Sequence, residues 1–266
     1  MILHYDLADV APYINWAYFY FAWQVKHEEE RRQLRSEAEQ MLTSLTGTYR
    51  THALLLITDA WAEGDDIILP SGYTIPCLRQ QSGSPCLCLA DFIAPKGQQS
   101  VASRLGIFAT SVDKGMETDF DDDPYQKMMA QLLADRLAEA TAERLHEQVR
   151  KQLWGYAPDE QLSVEEMQQE HFQGIRPAVG YPSLPDASLN FLLDDILGLG
   201  QIGISLTESG AMRPHASVSG LMMAHPQARY FSVGKIGDDQ LRDYVRRRGL
   251  DEASVRKFLS PLLSNS

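Results

Sequence analysis

The spacing of apolar residues changes several times along the chain, and each change marks a predicted helix or strand. Residues 15–46 begin with the aromatic run WAYFYFAW and continue with charged residues, which is typical of a helical region with one buried end and one solvated end. Residues 53–60, 65–78 and 103–112 are short apolar runs bounded by turn residues, which indicates strands. A Pro-Ser-Gly turn divides the run at 65–78 into two strands.

The longest helical pattern runs from about Asp123 to Leu153. Asp123 is a favourable N-cap residue, and Pro124 suits the first helical position. Apolar side chains recur along one face, at Met129, Leu133, Leu137, Leu145, Val149 and Leu153. This stripe predicts that the helix packs against a sheet or against other helices.

A second line on the same helix consists of Asp135, Glu139, Ala142 and His146. Spacings of three and four residues place these four side chains on one face. A solvated face is the interpretation that spacing alone favours, and a functional surface is the second one.

Shorter patterns complete the chain. The capping-box sequence SVEE at 163–166 predicts the start of a short helix. The other predicted elements are a helix at 187–199, strands within 202–212, 217–226 and 228–236, and helices at 238–248 and 252–262. Because the strands fall in two clusters with helices between and around them, the sequence predicts an α+β fold with an antiparallel sheet. We expect a single domain over 1–266, with an N-terminal helical region of about 1–46.

The sequence GLGQIG at 198–203 matches the GxGxxG pattern of nucleotide-binding proteins. That pattern binds phosphates only where a strand precedes the glycines and a helix N-terminus follows them. Here a predicted helix comes first and a predicted strand follows. Gly198 or Gly200 is therefore predicted to end a helix.

Charge excludes two classes of partner. The 36 acidic and 24 basic residues give a formal net charge of −12, which repels nucleic acids and anionic membranes. The apolar N-terminal stretch is interrupted by Asp6, Asp9, Pro12 and Asn15, so we expect neither a signal peptide nor a membrane span.

Cys77, Cys86 and Cys88 are the three cysteines of the chain. Their number and spacing fit neither a disulfide framework nor a zinc site, which favours a reducing, cytoplasmic location and no metal site. Packing is the expected role of Cys86 and Cys88.

The stretch RPAVGYPSLPD at 176–186 is a rigid loop that begins with an arginine. Residues before proline are biased to extended conformations, and Gly180 allows a close approach to the backbone. Such a loop offers a fixed guanidinium to a carboxylate and free carbonyls to an amine. A stiff connector whose Arg176 pairs with a nearby acid is an equally good interpretation of these residues.

Long segments of the chain resemble the reactivation domain of cobalamin-dependent methionine synthase. The most specific segment is 135–186, which ends in RPAVGYPSLPD. SLTESGAM, ASVSG, HPQARYFSVGKI and DQLRDYVRRRG follow it, and PYINWAYF, EGDDIIL and LADFIAPK precede it in the same order as in the family. The resemblance implies a helmet-shaped α+β domain with a central antiparallel sheet flanked by helices.

The resemblance also implies a function. Members bind S-adenosylmethionine and, when the cobalamin cofactor has become cob(II)alamin, support its one-electron reduction and methylation to methylcobalamin. This chain lacks a DxHxxG cobalamin motif and a cysteine set for a zinc site, so we expect no catalysis by the chain alone. The expected partners are a cobalamin-carrying methionine synthase module in trans and a flavodoxin-type reductant, for which RRRG at 246–249 offers either a basic patch or only a solvated helix end.

Residues matching the family's binding positions are expected to contact S-adenosylmethionine. Arg176 is expected to bind the carboxylate and the backbone of Ala178 to contact the ligand. Tyr230 and Phe231 are expected near the nucleoside and the sulfonium, because an aromatic face attracts a cation. Tyr181 and Glu139 are expected at the same site.

Two departures from the family pattern affect these expectations. Asn15 stands where the family has an aspartate that pairs with the cationic end of the ligand, so we expect affinity to be weaker by roughly five- to tenfold. Arg213 and His215 replace a tryptophan and a glycine. An alternative hypothesis follows: a module that keeps the fold for protein interaction or regulation and binds S-adenosylmethionine weakly or not at all.

Overall fold

Antiparallel strands build the core of the computed structural model, which describes residues 1–263. The strands are β1 (Ile2–Asp6), β2 (Arg50–Asp59), β3 (Trp61–Glu63), β4 (Asp66–Ile68), β5 (Thr74–Pro76), β6 (Arg104–Val112), β7 (Ser205–Leu206), β8 (Met212–Arg213) and β9 (Ser217–Met222). The central sheet has the order β1-β2-β6-β9, and every neighbouring pair is antiparallel. Strands β3-β4-β5 and β7-β8 form two smaller sheets. The α+β prediction is confirmed.

The helices are α1 (Leu7–Val10), α2 (Trp16–Ala22), α3 (Glu28–Leu45), α4 (Gly115–Thr118), α5 (Pro124–Gln148), α6 (Val164–Gln168), α7 (Leu189–Leu197), α8 (Asp238–Arg248) and α9 (Glu252–Phe258). Helix α5 begins as predicted, because the Asp123 side chain accepts hydrogen bonds from the backbone N–H groups of Tyr125 and Gln126. The capping box at Ser163 is also confirmed. A five-residue π-helix, Val149–Leu153, continues α5 to the predicted end.

The prediction of one helical region at 15–46 is wrong in detail. Gln24 has a positive φ of 57°, and this left-handed residue separates α2 from α3. Strand β1 was not predicted within the first 46 residues. Because β1 is an edge strand that buries only Tyr5 well, its five residues carry a weak apolar pattern.

Helix α5 covers one face of the central sheet. Leu55 and Phe108, which are paired across β2 and β6, belong to the same apolar core as Leu133 and Leu137 of α5. On the opposite face Leu54 packs with Leu199 and Ile202, which follow α7. The apolar stripe predicted from the sequence is thus buried against a sheet.

Gly198 ends α7 in the left-handed conformation, with φ 68° and ψ 70°, and β7 follows after a short 3-10 turn. No α-helix N-terminus therefore follows the glycines of GLGQIG. The segment predicted as a strand at 202–212 forms a small hairpin instead, in which Ser205 and Leu206 of β7 pair with Arg213 and Met212 of β8. The predicted helix at 252–262 ends at Phe258 and continues as a 3-10 turn.

The strand predicted at 228–236 is wrong, because residues 228–235 form no ladder. The outer edge of β9 is already occupied by residues 175–179, as described below, so this second segment has no free edge to pair with. It is held by single contacts instead, such as the hydrogen bond from Val233 N–H to the Pro182 carbonyl at 2.9 Å.

Candidate functional site

A cavity of about 730 Å³ lies between α2, α5, the 176–186 loop and the 228–236 segment. Every residue for which the sequence predicts a ligand contact lines this cavity: Asn15, Glu139, Arg176, Ala178, Tyr181, Tyr230 and Phe231. These side chains come from four separate parts of the chain. The fold therefore brings the predicted site residues together.

The rigid loop begins as an irregular strand on the outer edge of β9. Ile175 and Met223 exchange two backbone hydrogen bonds, at 2.9 and 3.0 Å. Further along, Leu221 N–H donates to the Pro177 carbonyl at 3.0 Å, and Val179 N–H donates to the Ser219 carbonyl at 2.9 Å. Pro177 lacks the N–H that would complete the ladder, which explains why the segment is not a regular strand.

Gly220 in β9 makes this close pairing possible. A Cβ at this position would lie 2.2 Å from the Pro177 carbonyl oxygen and 2.9 Å from the Cα of Ala178. Any larger residue would push the loop away from the sheet. The position of Arg176 thus depends on a glycine 44 residues further along the chain.

The pairing pattern turns two backbone N–H groups away from β9. In an antiparallel pair, residues that do not exchange hydrogen bonds point their N–H and C=O groups outward, and Ala178 opposite Gly220 is such a residue. Arg176 N–H donates to the Tyr230 hydroxyl at 2.9 Å. Ala178 N–H has no acceptor within residues 1–263, so it is available to a ligand in the cavity.

The Arg176 guanidinium is almost buried, with 10% of its side chain exposed. It donates a short hydrogen bond to Glu143 and lies 3.9 Å from Glu139. Burial lowers its pKa, but the charges of Glu143 and Glu139 outweigh burial, and the net pKa is raised. Arg176 Nε has no hydrogen-bond partner in the described chain. A charged donor is therefore held at the cavity wall with unused hydrogen-bonding capacity.

Sequence reasoning missed Glu143. This carboxylate is one helical turn after Glu139, so the i, i+4 spacing was available as a signal. The face predicted from the sequence instead continues from Glu139 to Ala142 and His146, and both of these residues are fully buried in the protein interior. Both interpretations of the four residues, a solvated face and a functional surface, are therefore wrong beyond Glu139.

Carboxylates give the cavity a negative potential. Glu139 accepts a hydrogen bond from the Tyr181 hydroxyl at 2.5 Å. Burial and, next, the charge of Glu139 raise the pKa of Tyr181. Glu170 also lines the cavity, and burial, followed by the charge of Glu143, raises its pKa. Three glutamates thus face two arginines, Arg136 and Arg176, which favours a ligand carrying a positive charge.

Asn15 lies at the cavity mouth as the N-cap of α2. Its Oδ1 accepts a hydrogen bond from Ala17 N–H at 3.1 Å. Aspartate would cap the helix in the same way and would add a negative charge beside the cavity.

A buried polar cluster packs against Phe172, which lines the cavity. Arg150 is fully buried and forms a bidentate ion pair with Glu160. Its guanidinium also lies 4.3 Å from the ring centre of Phe172. His146 stands edge-on to the same ring. Burial, followed by the charges of Arg150 and Arg176, holds the pKa of His146 well below its ordinary value.

The two other departures from the family pattern lie outside the cavity. His215 Nδ1 is 3.0 Å from Asp135 on α5, and its side chain is 87% exposed. The hydrogen bond to Asp135 and the charge of Asp135 raise the pKa of His215. Arg213 is exposed and precedes a cis proline, Pro214.

Several other predictions are corrected or narrowed. The carbonyls of Pro177, Ala178, Tyr181, Pro182 and Leu184 each accept a backbone hydrogen bond, so the loop offers fewer free carbonyls than expected. In RRRG, Arg247 and Arg248 are 9% exposed and form ion pairs with Asp66 and Asp186, which contradicts a basic patch. Arg246 is 75% exposed, so of the three arginines it alone fits a solvated helix end. The three cysteines are free, and Cys77 and Cys88 are buried.

Residues 1–263 lack both a membrane-spanning helix and a group of three or more metal ligands. No helix in that range is long and apolar enough to cross a membrane. No group of three or more His, Cys, Asp or Glu side chains there is arranged to hold a metal ion.

Comparison with known proteins identifies the family. The family described as "Vitamin B12 dependent methionine synthase, activation domain" matches residues 6–249. The crystal structure of the MetH reactivation domain bound to AdoHcy is 35% identical in sequence, with a TM-score of 0.93. That match covers 100% of this chain and 91% of that chain. The chain therefore belongs to the family of activation domains of vitamin B12 dependent methionine synthases.

Proposed function

We propose that this chain binds S-adenosylmethionine in the cavity and serves as the reactivation module of a cobalamin-dependent methionine synthase. The observation that carries the proposal is the buried guanidinium of Arg176, which lies with the six other predicted contact residues around one cavity. The AdoHcy-bound relative supports it, because AdoHcy is S-adenosylmethionine without its transferable methyl group.

In the proposed complex, Arg176 binds the ligand carboxylate with donors that Glu143 leaves free. Ala178 N–H donates one further hydrogen bond. Tyr230 and Phe231 pack against the nucleoside, and Glu139 with Tyr181 lies near the positive sulfonium. The negative potential of the cavity stabilises that charge before methyl transfer.

The module does not act alone in this proposal. One electron from a flavodoxin-type reductant and the methyl cation of S-adenosylmethionine pass to cob(II)alamin on a partner module, and S-adenosylhomocysteine remains. The contribution of this chain is to hold the donor and to keep its methyl group oriented towards the open side of the cavity. Mixing the chain with a cob(II)alamin-loaded partner module and a reductant, and recording the visible spectrum for methylcobalamin, tests this step.

Removing Arg176 tests the binding site. Arg176→Ala is expected to weaken S-adenosylmethionine binding by about 30-fold or more, because truncating one partner of a buried charged contact costs about 2–5 kcal/mol. Titration calorimetry measures this change. Arg176→Lys keeps the charge without the planar fork, so an intermediate affinity is expected.

Arg247→Ala is the matched control, since Arg247 is equally buried in an ion pair outside the cavity. It is expected to lower stability and to leave affinity unchanged. Circular dichroism establishes that each variant is folded. An Arg176→Ala protein that binds S-adenosylmethionine as tightly as the unaltered chain would remove Arg176 from the site.

Asn15 supports the alternative of an interaction module with weak or lost ligand binding, and one substitution separates the two functions. Asn15→Asp keeps the helix cap and restores an acid at the cavity mouth. If the chain is a working reactivation module, Asn15→Asp raises an affinity that is already measurable, by roughly five- to tenfold. If the unaltered chain shows no binding and only the variant binds, the interaction module is the correct function.

A further inference from the structure

His4 and His52 face each other directly across β1 and β2. Their Nδ1 atoms are 2.7 Å apart, and the two rings stand edge to face with centres 4.9 Å apart. The flanking pairs on the same face are Ile2 with Leu54 and Asp6 with Arg50.

Asp113 fixes the protonation of the His52 ring. The His52 Nε2 atom is 2.8 Å from Asp113 Oδ1, and an ionised carboxylate can only accept a hydrogen bond, so Nε2 carries the hydrogen. Asp113 is itself held in place, because its Oδ2 accepts a hydrogen bond from Arg50 N–H at 2.7 Å. In the neutral ring, the lone pair of His52 Nδ1 is therefore directed at His4.

This arrangement is the one that metal-binding histidines use, with one ring nitrogen on the cation and the other hydrogen-bonded to a carboxylate. We propose that His4 and His52 together bind one borderline divalent cation, of the class Cu²⁺, Zn²⁺ or Ni²⁺, through their Nδ1 atoms. Imidazole nitrogen is a preferred ligand for these ions. His4 is exposed, so its hydrogen can move to Nε2, where water accepts it.

The distances suit this role after a small movement. Two nitrogens at about 2.0–2.1 Å from a tetrahedral Zn²⁺ lie about 3.3 Å from each other. Opening the pair from 2.7 Å requires a shift of well under 1 Å, which the exposed His4 ring can make by rotation. Since residues 1–263 hold no group of three or more such ligands, water fills the other coordination positions.

The proposed cation site is separate from the proposed S-adenosylmethionine site. His52 lies on the sheet face opposite α5, because its neighbours Thr51 and Ala53 face the side where Ala53 packs with α5. The pair is also at the β1 edge of the sheet, whereas Arg176 lies beside β9 at the other edge. Neither proposal depends on the other.

Titration of the protein without a histidine tag tests the cation site. Zn²⁺ is measured by calorimetry, and Cu²⁺ by electron paramagnetic resonance, in which two coordinated imidazoles are expected at a stoichiometry of one ion per chain. His4→Ala and His52→Ala are each expected to lower affinity at least about tenfold. Asp113→Asn is expected to lower it about tenfold, as for other carboxylates that orient a metal-binding histidine.

His27→Ala is the control, since His27 is exposed and makes no side-chain cap hydrogen bond. It is expected to leave affinity unchanged. His52→Ala also separates the proposed pair from a site formed by His4 and the amino terminus, because only the pair needs His52. Full Zn²⁺ affinity in a folded His4→Ala or His52→Ala protein would overturn the proposal. If His52→Ala fails to fold, Asp113→Asn takes its place, because a site formed by His4 and the amino terminus does not depend on Asp113. Full Zn²⁺ affinity in a folded Asp113→Asn protein would then overturn the proposal.

Discussion

At the scale of single residues, the candidate site depends on side chains that hydrogen-bond the protein backbone as well as on side chains that face the ligand. The Tyr230 hydroxyl is the clearest case. It accepts the N–H of Arg176, which points away from the sheet and has no other acceptor in the described chain. Burial raises the pKa of Tyr230, so the hydroxyl remains neutral in the physiological range. Tyr230 thus holds the backbone of the residue that we propose as the carboxylate ligand.

Replacing Tyr230 with phenylalanine is expected to lower the free energy of unfolding by about 0.5–1.5 kcal/mol, because the partly buried N–H of Arg176 loses its hydrogen bond to the hydroxyl. Urea denaturation measures this loss, and calorimetry should show weaker S-adenosylmethionine binding in the same variant. Tyr18→Phe is the control, since Tyr18 lines the same cavity with a side chain that is 62% exposed. Equal stability of Tyr230→Phe and the unaltered protein would contradict this role.

At the scale of elements, the proline-rich loop is positioned by β9 more than by its own stiffness. The prolines restrict the loop, but the hydrogen bonds to Ser219, Leu221 and Met223 set its distance from the sheet. At Gly220 this distance is too small for a Cβ, which would lie 2.2 Å from the Pro177 carbonyl oxygen. The site is therefore sensitive to changes in a strand that contributes no predicted ligand contact.

Gly220→Ala is expected to destabilise the protein by about 1–3 kcal/mol and to weaken S-adenosylmethionine binding, because the new methyl group must displace Pro177 and Ala178. Gly200→Ala is the matched control, since a Cβ there meets no atom within 4 Å. Thermal unfolding and calorimetry measure the two effects. A Gly220→Ala protein with unchanged affinity would mean that the loop position is not set by this contact.

The limits of sequence prediction follow from the same elements. Helix α5 was predicted with its cap and its buried stripe, because both signals are local in the sequence. The stiffness of the loop is predicted because prolines restrict their neighbours, whereas the roles of Arg176 and of the other site residues come from the resemblance to the family. The contacts of Arg176 with Glu143 and Tyr230 depend on residues 33 and 54 positions away, and no local pattern reports them. The strand wrongly predicted at 228–236 has a suitable pattern, but the sequence does not show that residues 175–179 already occupy the outer edge of β9.

At the scale of the whole molecule, the buried charges behind the cavity link stability to pH. His146 is buried and neutral, with a pKa well below the ordinary 6.5. Below about pH 6.5 the unfolded chain binds a proton at this residue and the folded chain does not, so stability falls as the pH falls. His215 has a raised pKa and acts with the opposite sign, but its exposed position makes the effect small.

The free energy of unfolding is expected to fall by up to about 1.4 kcal/mol per pH unit below pH 6.5 because of His146. Urea denaturation between pH 7 and about 5 measures this slope. This pH range lies above the pH at which carboxyl groups with a lowered pKa, such as Asp91 and Glu147, become protonated and lose their contribution to stability. His146→Gln should flatten the slope, and His215→Gln should not. An unchanged slope in His146→Gln would assign the effect to other groups.

The pairing of residues 175–179 with β9 also determines how another protein can approach this side of the sheet. A free sheet edge presents a row of N–H and C=O groups to which a foreign strand can be added. Here residues 175–179 cover that edge and turn only two N–H groups outward. The N–H of Arg176 is bound by Tyr230, and the N–H of Ala178 has no acceptor within residues 1–263. If the chain docks on a cobalamin-carrying partner as we propose, one outward N–H group is too few for that partner to add a strand here, so we expect side-chain contacts around the cavity instead. Strand exchange between copies of the chain is disfavoured at this edge for the same reason.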